Sequence, residues 1–270
     1  MLHLAIARQS FRRHLTYRSA ALAGLATNFF FGMLRVAVIT ALYDGRPEAA
    51  GITLPAAITF TALSQAVIGP LAAFGWFDVM RSVHTGEIAG DLLRPMGYLA
   101  YWLASDFGRA ATQFVLRGVP MLVGYVALFP LISPAGARFV WPHGPAMWAA
   151  TGACFVLAWL ISFGWRFLAN LSAFWSPNAR GIIRFVFSLS WFASGFLFPL
   201  RYFPEWLQRL CAVTPFAYTI NAITEVFLGL RQGADVLRLL AVQMAWAAAL
   251  VLAGAIVLRA GVRRLVILGG

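Results

Sequence analysis

The sequence contains no lysine, because all 21 of its Lys and Arg residues are arginine. A phosphate-binding loop of the Walker A type needs a lysine, and an enzyme that forms a Schiff base needs a lysine amine. Neither chemistry can reside on this chain. A GC-rich coding bias accounts for the missing lysine without any functional cause.

Residues that bind metals or form disulfide bonds are also scarce. Cys154 and Cys211 provide neither a disulfide framework nor the ligand spacing of a zinc site. No HExxH or GxSxG sequence occurs. The four histidines are dispersed along the chain: His3, His14, His84 and His143. We therefore expect no metal site, no cofactor and no catalytic residue on this chain.

Charged residues are also scarce, since 11% of the residues are charged and 61% are hydrophobic. A soluble domain of 270 residues cannot bury so much apolar surface. In a membrane, the lipid is the solvent for that surface. The net charge of +12 does not indicate nucleic-acid binding, because the arginines interrupt long apolar runs and form no dense basic face. The sequence predicts an all-α integral membrane protein with six transmembrane helices.

Charged residues divide the chain into six predicted spans. The first run is longer than the apolar part of a signal peptide and lacks a cleavage site, so we expect no signal peptide. The predicted spans are 20–42, one within 52–77, 110–132, one that follows the 133–145 loop and ends near 166–171, one from about 184 to 200, and 239–258.

Residues 1–18 place arginines between apolar residues at helical spacing. This pattern predicts an amphipathic helix on the membrane surface, with arginine stems that reach the lipid headgroups. The arginines are Arg8, Arg12, Arg13 and Arg18, and the apolar residues are Leu4, Ala7, Phe11 and Leu15.

The segment 203–229 is apolar enough to enter a membrane but does not resemble a simple span. Pro215 and the charges of Glu205, Arg209 and Glu225 oppose a single crossing. We predict two short helices that form a re-entrant or interfacial hairpin, because such backbone is tolerated only where protein or water covers it.

The arginine distribution predicts the orientation of the chain. Six crossings place both termini on one side of the membrane. The segments on that side contain roughly twice as many arginines as the segments on the opposite side. We therefore expect cytoplasmic termini, a location in the inner membrane and a 203–229 hairpin at the outer face. The sequon at Asn170 then lies on the cytoplasmic side and is a chance occurrence.

Three charged residues have both a functional and a structural interpretation. Arg35 either lines a polar pathway inside the membrane or extends to the outer interface, and the sequence leaves both open. Glu87 and Asp91 stand at positions i and i+4. A catalytic carboxylate pair there competes with a solvated cytoplasmic helix, and like charges at that spacing favour the solvated helix.

Three sequence stretches resemble the permease subunits of ABC transporters, in the type-2 exporter class. The stretch 81–95 is similar to that family's coupling helix, with Gly86, Glu87, Leu92, Leu93, Arg94 and Pro95 in its pattern. The stretch 196–218 looks like the passage before the last span, carried by Pro199, Phe203, Pro204, Trp206, Pro215 and Phe216. The ending 261–270 is similar to tails in one bacterial subgroup.

The resemblance implies a coupling helix at 79–95 that contacts an ABC ATPase subunit. The implied coupling residues are Arg81, Val83, Gly86, Glu87, Ile88, Asp91, Leu92, Leu93 and Arg94. It also implies that spans one, two and five face a substrate pathway, with Asn28, Arg35, Gln65, Ser190 and Phe192 as candidate lining residues. ATP and Mg would bind the ATPase, and a second permease, identical or paralogous, would complete the pathway.

The leading hypothesis is a subunit that exports an amphiphilic, lipid-like or drug-like molecule. One alternative is a membrane-embedded enzyme that modifies lipid, with Glu87, Asp91 or His84 at the cytoplasmic face. Another is a membrane anchor that recruits an ATPase without transport. The direction of transport follows from the resemblance alone.

Overall fold

The computed structural model describes residues 2–16, 18–133 and 138–265, without the side chains of residues 18–21. The side chain of Arg18, part of the loop predicted at 133–145 and the last five residues of the 261–270 ending lie outside this description.

The first third of the chain forms three helices and a small β-hairpin. Pro55 stands in the first turn of α3, where its missing N–H costs no hydrogen bond. The elements are α1 (Leu2–Leu15), α2 (Arg18–Leu42), the antiparallel pair β1 (Glu48–Ala49) and β2 (Ile52–Thr53), and α3 (Leu54–Val67).

The middle of the chain begins with two short helices and continues into a long helical rod. The elements are α4 (Asp78–His84), α5 (Ile88–Leu92), α6 (Tyr98–Gln113), a π-helical turn (Phe114–Gly118) and α7 (Val119–Ile132).

The last part of the chain has two long helices separated by shorter ones. The elements are α8 (Gly144–Asn170), a 3₁₀ turn (Leu171–Phe174), α9 (Ala179–Ala193), a 3₁₀ turn (Leu200–Tyr202), α10 (Glu205–Ala212), a 3₁₀ turn (Phe216–Tyr218), α11 (Ile220–Phe227) and α12 (Ala234–Val262).

Four helical stretches in the described part of the chain are long and apolar enough to cross a membrane. They are Leu22–Leu42, Tyr98–Ile132, Gly144–Phe174 and Ala234–Val262. At the predicted second and fifth spans the helices α3 and α9 have 14 and 15 residues, below the ~20 that a full crossing needs. An all-α multi-pass membrane protein is thus supported, and the count of six stays a prediction.

The helix expected to begin at 110 begins twelve residues earlier, at Tyr98. The sequence placed Asp106 and Arg109 in a charged segment outside the membrane. Both residues lie inside the rod and are buried in the protein. Their charges are neutralised there, because Asp106 pairs with Arg109 on the same helix and with Arg166 of α8.

Two close helix contacts hold the bundle together. A Cβ built on Gly108 would overlap the carbonyl oxygen of Ala7, so the glycine lets α1 lie directly against α6. Gly164 of α8 similarly faces Leu250 of α12. Small residues at such crossings let backbones approach closely, which is how helices associate in lipid.

The connecting segments collect at two opposite ends of the bundle. At one end the Tyr43 hydroxyl, just after α2, lies 2.7 Å from that of Tyr202, just before α10. At the other end α4 contacts the C-terminal part of α8, where the Met80 amide donates to the Asn170 side chain. We call the first of these the hairpin end, after the predicted hairpin 203–229, and the second the α4–α5 end.

Candidate functional site

Between α3 and α4, residues 68–77 leave the helical conformation although most of them are buried. Pro70 ends the helix because it has no N–H to donate and its ring clashes with the preceding turn. The segment includes Ala72 at φ +50° and Gly75 at φ +137°. Such backbone is tolerated at membrane depth only if protein groups satisfy its carbonyls.

Side chains from three other helices donate to the carbonyls of this unwound segment. Because these donors come from α6, α8 and α9, the segment is held from several sides. The hydrogen bonds are Arg109 Nη1 to Gly69 O (2.9 Å), Arg109 Nη2 to Pro70 O (2.8 Å), Ser162 Oγ to Leu71 O (2.7 Å), Trp191 Nε1 to Ala73 O, and Asn170 Nδ2 to Trp76 O (3.0 Å).

Asp106 is the anion that pairs with one of these donors, Arg109, and with Arg166 of α8. Arg166 donates from Nη1 to Oδ1 (3.1 Å) and from Nη2 to Oδ2 (2.9 Å), and Arg109 donates from Nε to Oδ1 (2.7 Å). The indole of Trp159 adds a fourth bond to Oδ2 at 2.9 Å. The side chains of Asp106 and Arg166 are fully buried, so removing Asp106 would leave the unpaired charge of Arg166 inside the protein.

Asn170 joins this network to α4. Its Nδ2 donates to the carbonyls of Trp76 and Arg166, and its Oδ1 accepts from the backbone N–H of Met80. The side chain is therefore fully occupied, and Asn170 is 0% exposed. The sequon that begins at this residue is buried in the folded chain.

The segment predicted as one helix over 79–95 consists of α4 and α5 with a turn between them. Gly86 adopts φ +79° in this turn, a conformation that glycine reaches without steric cost. Asp91 ties the two helices together, since it accepts from Ser82 Oγ at 3.0 Å and pairs with Arg94 at 2.8 Å. The Arg94 guanidinium also lies over the Tyr101 ring.

The candidate coupling residues divide into a buried and an exposed set. Ile88 is 1% exposed and packs into the chain's own core, and Asp91 is buried with its partners. Leu93 is 87% exposed. The other exposed or half-buried coupling residues are Arg81, Val83, Gly86, Glu87, Leu92 and Arg94. We call the exposed positions Glu87, Leu92 and Leu93 the α5 edge.

The same region offers little support for a catalytic carboxylate pair. Glu87 and His84 are exposed, whereas Asp91 is engaged with Ser82 and Arg94. Within the described residues, no cluster of His, Cys, Asp and Glu could hold a metal ion.

Arg35 spans from α2 to two other elements. Its Nη1 donates to Ser64 Oγ of α3 at 3.3 Å, and its Nη2 donates to the Leu197 carbonyl after α9 at 2.6 Å. The guanidinium lies 5.3 Å from the centroid of the Phe196 ring. Its Nε is buried without a hydrogen-bond partner among the described residues.

The other candidate pathway residues differ in their surroundings. Gln65 is buried, and its side chain lies close to Gly32 of α2. Ser190 is buried and donates to the Phe187 carbonyl of its own helix. Phe192 is exposed and stacks on Phe203 at 5.1 Å between centroids. Asn28 is half-buried on α2.

The hairpin residues named from the sequence occupy the boundaries of short helices. Pro204 immediately precedes α10, and Pro215 precedes the 3₁₀ turn. Phe216 packs edge-on against Trp165 of α8 at 5.5 Å, and Trp206 is 67% exposed.

Glu225 is neutralised inside the hairpin end, a relationship that sequence reasoning missed. Its side chain is 4% exposed and pairs with Arg201 (Nε to Oε1, 2.9 Å) and Arg231 (Nε to Oε2, 2.6 Å). The negative charge of Glu225, which opposed burial of the segment 203–229, is therefore compensated by two arginines.

Burial controls the titration of three neighbouring groups at the hairpin end. It raises the pKa of Tyr43 and of Tyr202, so this hydroxyl pair stays protonated at neutral pH. Burial likewise raises the pKa of the Cys211 thiol, which favours the unreactive protonated form.

Sequence reasoning also missed the Asp106 network, because it assigned Arg166 to a cytoplasmic boundary. The available signal was an Asp and an Arg three residues apart next to an apolar run, which is the spacing of a helical ion pair. A charge within such a run normally has a partner and a role.

The fold and these contacts define the class: an all-α multi-pass membrane protein in which the apolar helix α3 is followed by an unwound segment and a pair of short helices at one end. A family model described as ABC-2 family transporter protein matches residues 29–269. The chain belongs to this family and is a permease subunit of an ABC transporter, which confirms the resemblance found in the sequence. No curated protein and no solved structure matches the chain.

Proposed function

We propose that this chain forms half of the pathway of an ATP-driven exporter for an amphiphilic substrate. In this proposal it crosses the inner membrane six times and has both termini in the cytoplasm. ATP and Mg bind to separate ATPase subunits, and a second permease, identical or paralogous, supplies the other half of the pathway. The α4–α5 end then faces the cytoplasm.

The observation that carries the proposal is the continuity between the unwound segment 68–77 and the α4–α5 pair. Leu93 is an aliphatic side chain exposed at 87% just after α5, and the charged Glu87 is exposed just before the same short helix. An exposed apolar residue with a charged neighbour suits a protein contact in which the apolar side chain supplies affinity and the charge fixes register.

Movement of α4 would be transmitted to the rest of the helix bundle through specific hydrogen bonds. Asn170 holds the Met80 amide on one side and the Trp76 carbonyl on the other. ATP-driven closure of the ATPase subunits would displace α4 and α5 together, because Asp91 connects the two helices. The unwound segment 68–77 would absorb the accompanying change in backbone angles. The span α3 would then move relative to α6 and α8.

The substrate pathway in this proposal follows the side of the bundle where α2, α3 and the end of α9 meet. Arg35 joins these three elements through Ser64 and Leu197. Phe30 and Phe31 on α2 are more than half exposed and would offer aromatic surface to an amphiphile.

The test is purification of the tagged chain from its native membrane in mild detergent, followed by identification of the bound proteins. We expect an ABC ATPase in amounts equal to the permease, and one or two kinds of permease chain. Recovery of the chain alone, with nucleotide-independent activity on lipid, would contradict the proposal and favour the enzyme alternative.

Glu87→Arg refines this test because Glu87 is exposed and its replacement should not affect folding. We expect the variant to be inserted normally but to lose transport. Glu48→Arg is the matched control, since Glu48 is an exposed carboxylate at the hairpin end. Equal transport by the two variants would remove Glu87 from the proposed contact.

A further inference from the structure

A cavity of about 240 Å³ lies at the hairpin end, between α10, α11 and the start of α12. Pockets for drug-sized ligands usually measure roughly 300–1,000 Å³, so this one suits a headgroup better than a whole amphiphile. Its charged lining residues are Arg201, Arg209, Arg231 and Glu225, and its apolar lining includes Leu200, Ala217, Ala222 and Leu239.

The charges that line the cavity do not balance. Glu225 gives one carboxylate oxygen to Arg201 and the other to Arg231, so its own negative charge is already compensated. Arg209 pairs with Glu205 on its own helix, so three arginines against two carboxylates leave a surplus of one positive charge, carried by Arg201 and Arg231. An anion placed in the cavity would therefore be attracted.

Two of these arginines keep donors available for a ligand. Arg231 uses only its Nε, and its two Nη atoms have no hydrogen-bond partner among the described residues. Arg201 uses Nε and Nη2, the latter to the Leu230 carbonyl, which leaves Nη1. Planar guanidinium donors match the oxygens of a phosphate group, and charge-assisted bonds of this kind are strong.

An apolar stripe on the neighbouring helix α10 indicates where the cavity lies relative to lipid. Trp206, Leu210 and Val213 are 67%, 56% and 69% exposed, and their i, i+4, i+7 spacing puts them on one helix face. Tryptophan and aliphatic residues in such a stripe enter the boundary between headgroups and acyl chains. The cavity beside α10 then stands at the level of lipid phosphates.

We propose that this cavity binds the phosphate group of an anionic lipid. Arg231 and Arg201 hold the phosphate oxygens, and Arg209 adds a third positive charge at the rim. The Trp206–Leu210–Val213 stripe contacts the acyl region of the same leaflet. This site is independent of the direction and substrate of transport.

The experiment titrates the purified full-length chain in nonionic detergent with phosphatidylglycerol and follows the bound lipid by native mass spectrometry. Phosphatidylcholine serves as the zwitterionic comparison, and inorganic phosphate as the competitor. The variants are Arg231→Gln and Arg209→Gln. Arg238→Gln is the matched control, because Arg238 and Arg209 are both 81% exposed and each pairs with a carboxylate on its own helix.

We expect the wild type and Arg238→Gln to bind phosphatidylglycerol alike and more tightly than phosphatidylcholine. Arg231→Gln should weaken phosphatidylglycerol binding by about tenfold, as loss of a charge-assisted bond predicts. Arg209→Gln, whose exposed side chain is not needed for folding, should weaken it by a smaller factor.

Two results would overturn the proposal. One is equal binding of phosphatidylglycerol by the wild type, Arg209→Gln and a folded Arg231→Gln. This result would mean that the arginines only pair with carboxylates of the chain itself. The other is displacement of the lipid by inorganic phosphate at equal concentration, which would assign the cavity to free phosphate.

Discussion

Arg166 of α8 and Asp106 of α6 form a two-bond ion pair with both side chains at 0% exposure. The pair links two of the long helices and presents Arg109 to the unwound backbone at Gly69 and Pro70. This arrangement gives a reason for charges inside an apolar protein. Arg109, held by Asp106, supplies hydrogen bonds that the carbonyls of Gly69 and Pro70 lose where the chain leaves the helical conformation after α3.

Asp106→Ala should strongly destabilise the protein. It leaves two buried guanidiniums without their anion, and breaking a buried pair typically costs about 3–5 kcal/mol. Thermal or denaturant unfolding of the purified chain measures the effect. Asp235→Ala is the control, because Asp235 is 64% exposed in its pair with Arg238, and the change should stay within about 1 kcal/mol. Similar losses in both variants would contradict the structural role of Asp106.

Asn170→Ala should weaken the connection between α4 and the bundle. The change leaves the Met80 amide and the Trp76 carbonyl unsatisfied, at about 1–3 kcal/mol for each buried group. Substrate-stimulated ATP hydrolysis in the reconstituted transporter should fall more than ATPase binding does. Asn178→Ala, at an exposed asparagine near the same end, should leave both unchanged. Unaltered stimulation in Asn170→Ala would separate this contact from coupling.

Gly108→Ala should loosen α1 from α6, because the added methyl group overlaps the Ala7 carbonyl and that backbone has to move. Limited trypsin digestion reports the change, since α1 carries Arg8, Arg12 and Arg13 and should be cleaved faster. The control is Gly152→Ala, where the Cβ meets open space. If the two variants were digested at the same rate, the α1–α6 contact would not restrain α1.

Arg35→Lys distinguishes the two interpretations of this intramembrane charge. Lysine keeps the charge but cannot donate in two directions to Ser64 and Leu197 as the guanidinium does. If Arg35 organises the pathway, substrate-stimulated ATP hydrolysis should fall several-fold. Arg46→Lys, in the exposed loop after α2, is the control. Normal stimulation in Arg35→Lys would favour a residue that merely extends towards the interface.

The sequence predicted the long apolar helices but not the end of helical structure at residue 68, within the run 52–77. Hydropathy identified the uncharged run within 52–77, and the Gly69-Pro70 pair was a visible helix-breaking signal inside it. The run could nevertheless be read as one continuous span, because the side chains that donate to its carbonyls are 39 to 118 residues away along the chain. Only the folded bundle brings Arg109, Ser162 and Asn170 to these carbonyls.

The sequence predicted a helical segment at 79–95 but not its division into two helices. The pattern around Glu87 and Leu93 located the α4–α5 segment, because it depends on local residues. The turn at Gly86 and the burial of Ile88 depend on packing against α8 and the 3₁₀ turn after it, which local spacing does not determine. The same holds for the partners of Glu225, which come from both sides of the hairpin.

The most direct test of the account is a crosslink between Leu93 and the ATPase. In Leu93→Cys the new thiol is exposed, whereas Cys154 and Cys211 are buried. A reagent that joins a thiol to a lysine amine cannot link to a lysine of this chain, which has none. Val213→Cys, at a 69% exposed position of the hairpin end, is the control. We expect an ATPase adduct at position 93 and none at position 213. An adduct at 213 alone, or none at 93 when the ATPase is bound, would contradict this expectation.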